Sequence, residues 1–364
     1  MPEIHIARRR AVRERIAALG TDAALITSGV NVRYLTGLVS SNAALLLPAD
    51  GPAVLATDSR YAGTAARDCA DVELVIERFI EPVLVRLAID RGNRRIAFEA
   101  REMTVERHQL LASLDDGLAL LPLGGVVEKL RMVKDQAEIE LLARACAITC
   151  EAFAAAVGWL APGVTEREFA VALDRAMIDA GAEAMAFDTI VASGPNGAIP
   201  HHAPGDRELA AGDLVTVDCG ARFGGYHADM TRTVAIGEPA GWQREIYGTV
   251  AAAQAASVRA ARPGADVGAV DATGRDLIEE AGYGGNFSHG LGHGVGLEIH
   301  EAPIIGYDRT GTLTDRVPIT IEPGIYLPGA GGVRIEDTLV VRAGAGAEGS
   351  AQLLTTFTKE LLVL

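Results

Sequence analysis

Thiol chemistry has little to work with in this chain. Four cysteines, Cys69, Cys146, Cys150 and Cys219, occur among 364 residues, and no two form a C-x-x-C pair. That excludes a thioredoxin-like motif or a thiolate zinc knuckle. Cys146 and Cys150, one turn apart on an expected helix, read as core. Basic charge is scarce as well. Lys and Arg number 33 against 48 Asp and Glu, a net charge of -15 with a pI of about 5. A nucleic-acid partner wants a basic footprint, so none is expected. No run of about 18 apolar residues is present, so no transmembrane helix is expected. The opening MPEIHIARRR has no apolar stretch behind its arginines, so it is not read as a signal peptide. The expected compartment is then the reducing cytoplasm. No G-x-G-x-x-G follows a strand inside a βαβ unit, which argues against a dinucleotide site.

What is present is an ordinary globular composition, 49% apolar and 22% charged. It is long enough for two domains or one large one. Residues 1–125 alternate helical and strand-like segments, the signature of an α/β domain. A helix is expected over 6–19, ending at Gly20, with strands at 23–27, 43–47, 53–56, 72–76 and 95–98. LGGVVEKLRMVKDQAEIELL reads as the junction, and residues 126–364 as the second domain. Asp135 with Glu138, and Thr165 with Glu168, make capping patterns for helices reaching about Leu160 and Gly181. Two further helices are expected, Trp242 to Ala261 and from Asp266 to Gly282. Two helices thus precede each of two groups of strands, which hints at two similar halves. The glycine- and alanine-rich run at 343–350 reads as a loop.

The strands carry the chemistry. VTVDCGARFGGYHADMTRT reads as a hairpin holding Asp218 and Asp229. A turn centred on Phe223-Gly224 would set Asp218 opposite Asp229. A turn one residue later would set it opposite Thr231. Two like charges in a half-buried sheet are costly unless something neutralises them. PITIEPGIY places Glu322 at the end of an apolar strand, and GGVRIEDTLVV places Glu336 within another, on one face with Arg334 and Thr338. Six of the eight histidines fall between positions 201 and 300: His201, His202, His227, His289, His293 and His300. Glycines that let backbone approach a ligand lie between them. Four carboxylates and one imidazole suit two hard or borderline divalent ions such as Mn²⁺, Co²⁺ or Fe²⁺. Such ions would neutralise the charges and lower the pKa of a bridging water.

DCGARFGGYHADMTRT, HGLGHGVGLEIHE, TIEPGIY and GGVRIED, in that order, resemble the pita-bread metallopeptidases. Within them the chain is similar to the proline-specific exopeptidases, aminopeptidase P and prolidase. NVRYLTG and LATDSRY resemble the creatinase-type N-terminal domain of that group. The resemblance implies a creatinase-type α/β domain followed by an α+β pita-bread catalytic domain with pseudo-two-fold symmetry. It implies two divalent ions, manganese first, with Co²⁺, Fe²⁺ or Zn²⁺ as alternatives, on Asp218, Asp229, His293, Glu322 and Glu336. Asp229 and Glu336 would bridge them. His201, the last residue of a G-x-N-x-A-x-x-H stretch, would line the substrate site. His289 and His300 would hold the scissile carbonyl and the tetrahedral intermediate, Glu322 would shuttle the proton, and Arg334 would orient its neighbours.

The implied reaction is hydrolysis of an Xaa-Pro bond at a peptide N-terminus by a metal-bridging hydroxide. The expected partner is a proline-containing peptide, the expected assembly a homodimer or homotetramer. Aminopeptidase activity is the leading expectation and a dipeptide-restricted prolidase the alternative. The N-terminal domain argues against methionine aminopeptidase. The filled ligand positions argue against creatinase and against a non-catalytic pita-bread binding protein. His202 and His227 receive no role.

Overall fold

The computed structural model describes residues 2–344 and 349–364, so 345–348 of the 343–350 run lie outside the described residues. The chain divides into two compact units, Met1–Arg131 and Met132–Leu364. The division falls six residues past the expected 125/126. The short helix from Val126 brings Arg131 back into the first unit, where its Nη1 donates to Asn31 Oδ1 at 2.8 Å.

The first unit is built on a six-stranded mixed sheet. Its order is Glu73–Ile76, Val54–Thr57, Ala43–Pro48, Ala23–Ile26, Arg95–Phe98 and Ala119–Pro122. The middle strands are buried along their whole length, which explains their unbroken apolar sequence. The sixth strand, ALLP, is only partly buried and ends in proline, so it gives little signal. The polar residues of this unit serve the fold. Glu99, for example, accepts from the backbone of Thr27 and Ser28 and from Asn31.

The second unit repeats one theme. Helices Gln136–Ala156 and Glu166–Asp179 pack on a sheet of Ile190–Ser193, Leu214–Cys219 and Met230–Ala235. Helices Gly241–Ala260 and Val267–Glu280 pack on a second sheet. Its members are Glu301–Ile305, Gly292–Gly294, Pro318–Ile321, Asp337–Arg342 and Ser350–Leu353. Both sequence-predicted capping boxes form, Asp135 with Glu138 and Thr165 with Glu168. Asp266 caps the last helix through Gly268 and Ala269. The segment Gln136–Trp159 is long and apolar enough to cross a membrane by length and composition. Here it is the core helix of its half: Ile139, Leu142, Ile148 and Phe153 are buried while Glu140, Arg144 and Glu151 face out.

Threonines and one arginine join the halves. Thr233 Oγ1 donates to Arg334 O at 3.0 Å, Thr338 Oγ1 to Asp229 O at 2.8 Å, and the Glu336 N–H to Thr231 O at 3.1 Å. Arg232, buried, donates to the carbonyls of Thr231, Glu336, Phe357 and Thr358 and pairs with Asp337 at 2.8 Å. Residues of alternate parity do different work here. Arg232 grips the backbone while Thr231 and Thr233 face the seam.

The hairpin adopts the later of the two registers considered. Phe223 pairs with Tyr226, and Asp218 pairs with Thr231, not Asp229. A two-residue turn of this kind needs positive φ at both central positions. Gly224 and Gly225 supply it, at 57° and 80°. A turn centred on Phe223 would have forced a bulky residue into that region. Two residues past Asp218 the hairpin strands come very close. A Cβ on Gly220 would lie 1.9 Å from Ala228 O. Gly220→Ala is therefore expected to destabilise the protein by about 1–3 kcal/mol. Denaturant unfolding checks this, and an unchanged midpoint would contradict it.

Candidate metal centre

Three of the four sequence-predicted acidic residues sit where strands break, while Asp218 lies inside Leu214–Cys219. Asp229 lies between Tyr226–His227 and Met230–Ala235, Glu322 just after Pro318–Ile321, and Glu336 between Gly331–Arg334 and Asp337–Arg342. At a break the side chain is released from the in-out alternation of the pleat, so residues from several strands can converge. Asp229, His293 and Glu336 do converge, with one potential ligand atom from each lying within 4.8 Å of the others. All three are buried. His293 Nε2 lies 3.5 Å from Asp229 Oδ2 and 3.4 Å from Glu322 Oε1. His293 Nδ1 donates to Gly294 O at 3.0 Å. A carbonyl only accepts, so Nδ1 carries a proton, and in the neutral ring this leaves the lone pair on Nε2.

Arg334 organises the other side. Its Nη2 donates to Asp218 Oδ2 at 2.8 Å, its Nε to Thr231 Oγ1 at 3.1 Å, and its Nη1 to Tyr326 Oη at 3.0 Å and Pro200 O at 3.2 Å. Thr231 in turn donates to Glu336 Oε2 at 2.7 Å. After these bonds, Asp218 Oδ1 and Glu336 Oε1 remain buried with no hydrogen-bond partner among the described residues.

The electrostatics follow from burial and crowding. Burial, then the charges of Asp218 and Glu322, push the Asp229 carboxyl well above the usual carboxylate range. Burial, then Asp229, Glu322 and Asp218, do the same to Glu336. Burial also raises Glu322, against the pull of His293 and Arg334. Two unit charges about 5 Å apart repel by about 3 kcal/mol at an effective dielectric of about 20. One guanidinium cannot offset several such pairs.

The remaining histidines fall into two groups. His289 is engaged by the protein. Its Nδ1 donates to Gly290 O at 2.8 Å, which leaves Nε2 to accept from Tyr326 Oη at 2.8 Å. Burial pushes its pKa down to about 4, so it is neutral at physiological pH. His227 bonds Gly296 O at 3.0 Å through Nδ1, and His202 bonds Glu166 at 2.8 Å. His201 and His300 are exposed. The His300 ring packs edge-on against His293, with centroids 4.5 Å apart. Charge on His201 would weigh on both His289 and His300.

Two contributors were not singled out from sequence. Tyr326 stands in TIEPGIY, where it reads as one more apolar strand residue. The buried pair Lys134–Glu301, at 2.7 Å, anchors the segment ending in His300, since Glu301 Oε1 also accepts from Glu298 N at 3.0 Å. Lys134 carries no signal beyond its place in RMVKDQAEI.

Residues 140–343, more than half of the chain, match the family model for metallopeptidase family M24. The chain belongs to this family. Residues 8–133 match the creatinase/prolidase N-terminal domain. The solved structure of an Xaa-Pro dipeptidase from Bacillus anthracis superimposes with a TM-score of 0.94 at 35% identity, covering 99% of this chain and 100% of that one. An X-Pro aminopeptidase from Thermotoga maritima gives 0.87 at 34% identity, covering 96% and 100%. A Pyrococcus furiosus Xaa-Pro dipeptidase is 47% identical over 238 residues, 65% of this chain and 67% of that protein. The fold is thus a creatinase-type N-terminal domain with an M24 pita-bread domain, and the chain is a metallopeptidase.

M24 membership implies divalent metal ions, and the residues fit them. Buried carboxylate oxygens without partners and an imidazole nitrogen with a free lone pair are the donor set of hard or borderline cations. The metal-free protein should therefore be strained by its own charges. A carboxyl whose folded pKa exceeds its unfolded value is stabilising below about pH 4. That contribution is lost as the pH rises through the raised folded value. In chelator, Asp229→Asn is expected to melt about 2–4 °C above wild type at pH 8, with the gap closing toward pH 4. With metal present the order should reverse. A chelated variant melting at or below wild type at pH 8 would show that repulsion does not dominate the site.

Proposed function

We propose that this M24 peptidase is an Xaa-Pro dipeptidase. The full-length likeness to the Bacillus anthracis Xaa-Pro dipeptidase carries this reading. It displaces the leading expectation of aminopeptidase activity, which retains support from the Thermotoga maritima structure. Asp218, Asp229, His293, Glu322 and Glu336 would hold two divalent ions, manganese first, as their oxygen-rich donor set suggests. Bound there, the ions would acidify a water and polarise the scissile carbonyl.

The chain's own groups do the rest. Arg334 fixes Asp218 through a guanidinium bond, and Thr231 fixes Glu336, so both carboxylates keep one free oxygen turned to the site. His293 is held in the tautomer that presents Nε2. His201 and His300, with exposed rings, bind the substrate carbonyl and steady the oxyanion as the carbonyl becomes tetrahedral. The Arg334–Tyr326–His289 chain of hydrogen bonds holds the His289 ring in place, and burial keeps it neutral. Glu322, half-buried and bonded to Thr320 at 3.3 Å, takes the proton of the attacking water and delivers it to the proline nitrogen. Four free cysteines support the reducing cytoplasm as compartment.

Alanine release separates the two readings. Mn²⁺-loaded protein is expected to cleave Ala-Pro and leave Ala-Pro-Ala intact, with Asp229→Ala reduced to background on both. Release from both peptides, or from the tripeptide alone, would instead make the enzyme an aminopeptidase.

A further inference from the structure

The mechanism above makes no use of Glu166, the first residue of the Glu166–Asp179 helix, whose side chain is fully buried. A carboxylate out of water is tolerated only when donors surround it. Glu166 has five. Ser193 N at 2.8 Å, Ser193 Oγ at 2.6 Å and Asn196 Nδ2 at 2.9 Å bond Oε1. His202 Nε2 at 2.8 Å and Gly205 N at 3.1 Å bond Oε2. All five lie in one segment, 193–205, which closes around the carboxylate. That segment carries His201.

A second anchor acts from the opposite side. Arg334, which holds Asp218, also donates to Pro200 O. The short turn Gly194–Ala198 lies hard against the Gly331–Arg334 strand, where a Cβ on Gly332 would come 2.2 Å from Gly197 O. The two neighbours of His201 are therefore both pinned, Pro200 to Arg334 and His202 to Glu166. The His201 ring itself makes no hydrogen bond among the described residues and is exposed. Fixed backbone on both sides of an unengaged ring is how a side chain is aimed at a ligand.

We infer that Glu166, acting through His202 and the 193–205 segment, is a positioning residue that sets His201 for substrate. This rests on the peptidase reading of the site for its effect on catalysis, though not for its structural content. Glu166→Gln keeps shape but replaces one acceptor oxygen by a donor facing His202 and Gly205. His202→Phe removes one bond from a partly exposed position and serves if the buried variant fails to fold.

Each variant, loaded with Mn²⁺ to wild-type metal content, is expected to lose about 10- to 100-fold in kcat/KM on Ala-Pro, the scale of a small misplacement. In a His201→Ala background the same changes should add no further loss. Hydrogen exchange of peptides spanning 193–205 should quicken, while 214–233 stays protected. An equal loss in both backgrounds, or full activity in the single variants, would overturn the inference. So would unchanged exchange over 193–205. If wild type cleaves neither Ala-Pro nor Ala-Pro-Ala, the peptidase reading fails, and the exchange result alone decides whether Glu166 holds the segment.

Discussion

Asp229 and Glu336 are taken out of water within 4.8 Å of each other, beside Asp218 and Glu322, with Arg334 as their guanidinium neighbour. Left to themselves these groups would push the strands apart or protonate, and the second tendency is expressed in their raised pKa values. The surroundings are arranged to prevent it. Threonines bridge the two halves at the backbone, Arg232 holds the Glu336 carbonyl and the Asp337 side chain, and the guanidinium of Arg334 is shared among Asp218, Thr231, Tyr326 and Pro200. The rigidity of the seam is what keeps these repelling charges close together.

Much of this was legible in the sequence, and the reasons differ by element. Helix starts were readable because capping is local: Asp135, Thr165 and Asp266 each announce a helix within three residues. The convergence of Asp218, Asp229, Glu322 and Glu336 was legible only as a pattern of acids on apolar strands. That Asp229, Glu322 and Glu336 sit at strand breaks was not, because a break depends on what the neighbouring strand does. The register of Asp218 hung on whether Phe223 or Gly225 joined Gly224 in the turn. The sequence reading left both open, and the steric cost of a left-handed phenylalanine decides between them.

Residues that act through others were the hardest to see. Glu166 stands in a first helical turn, where acids are common for reasons of helix polarity. Beside the capping pair Thr165 and Glu168 it looks ordinary. Its partners lie 27 to 39 positions downstream, beyond any local motif. Tyr326 is hidden for a different reason. An aromatic in an apolar strand reads as core, and only the hydroxyl's two partners, His289 and Arg334, reveal otherwise. The histidine-rich stretch was visible as a cluster, yet its members do unlike things. His289 is locked to the protein, His227 holds the Gly296 carbonyl, His202 holds the Glu166 carboxylate, and His201 and His300 stay open.

The split of the acidic residues between the two halves has a further consequence. Asp229 and Glu336 are separated by more than a hundred positions of chain, so an ion held by both closes a very long covalent-like loop. In polymer terms such a closure removes conformational freedom from the denatured chain, and a cross-link of that span is worth about 4–5 kcal/mol in the entropic account. With four free thiols, this chain would obtain from a cation bound between Asp229 and Glu336 the kind of long-range staple that secreted proteins obtain from oxidised cysteines. Its resistance to unfolding would then be tied to the free concentration of a metal rather than to a redox potential.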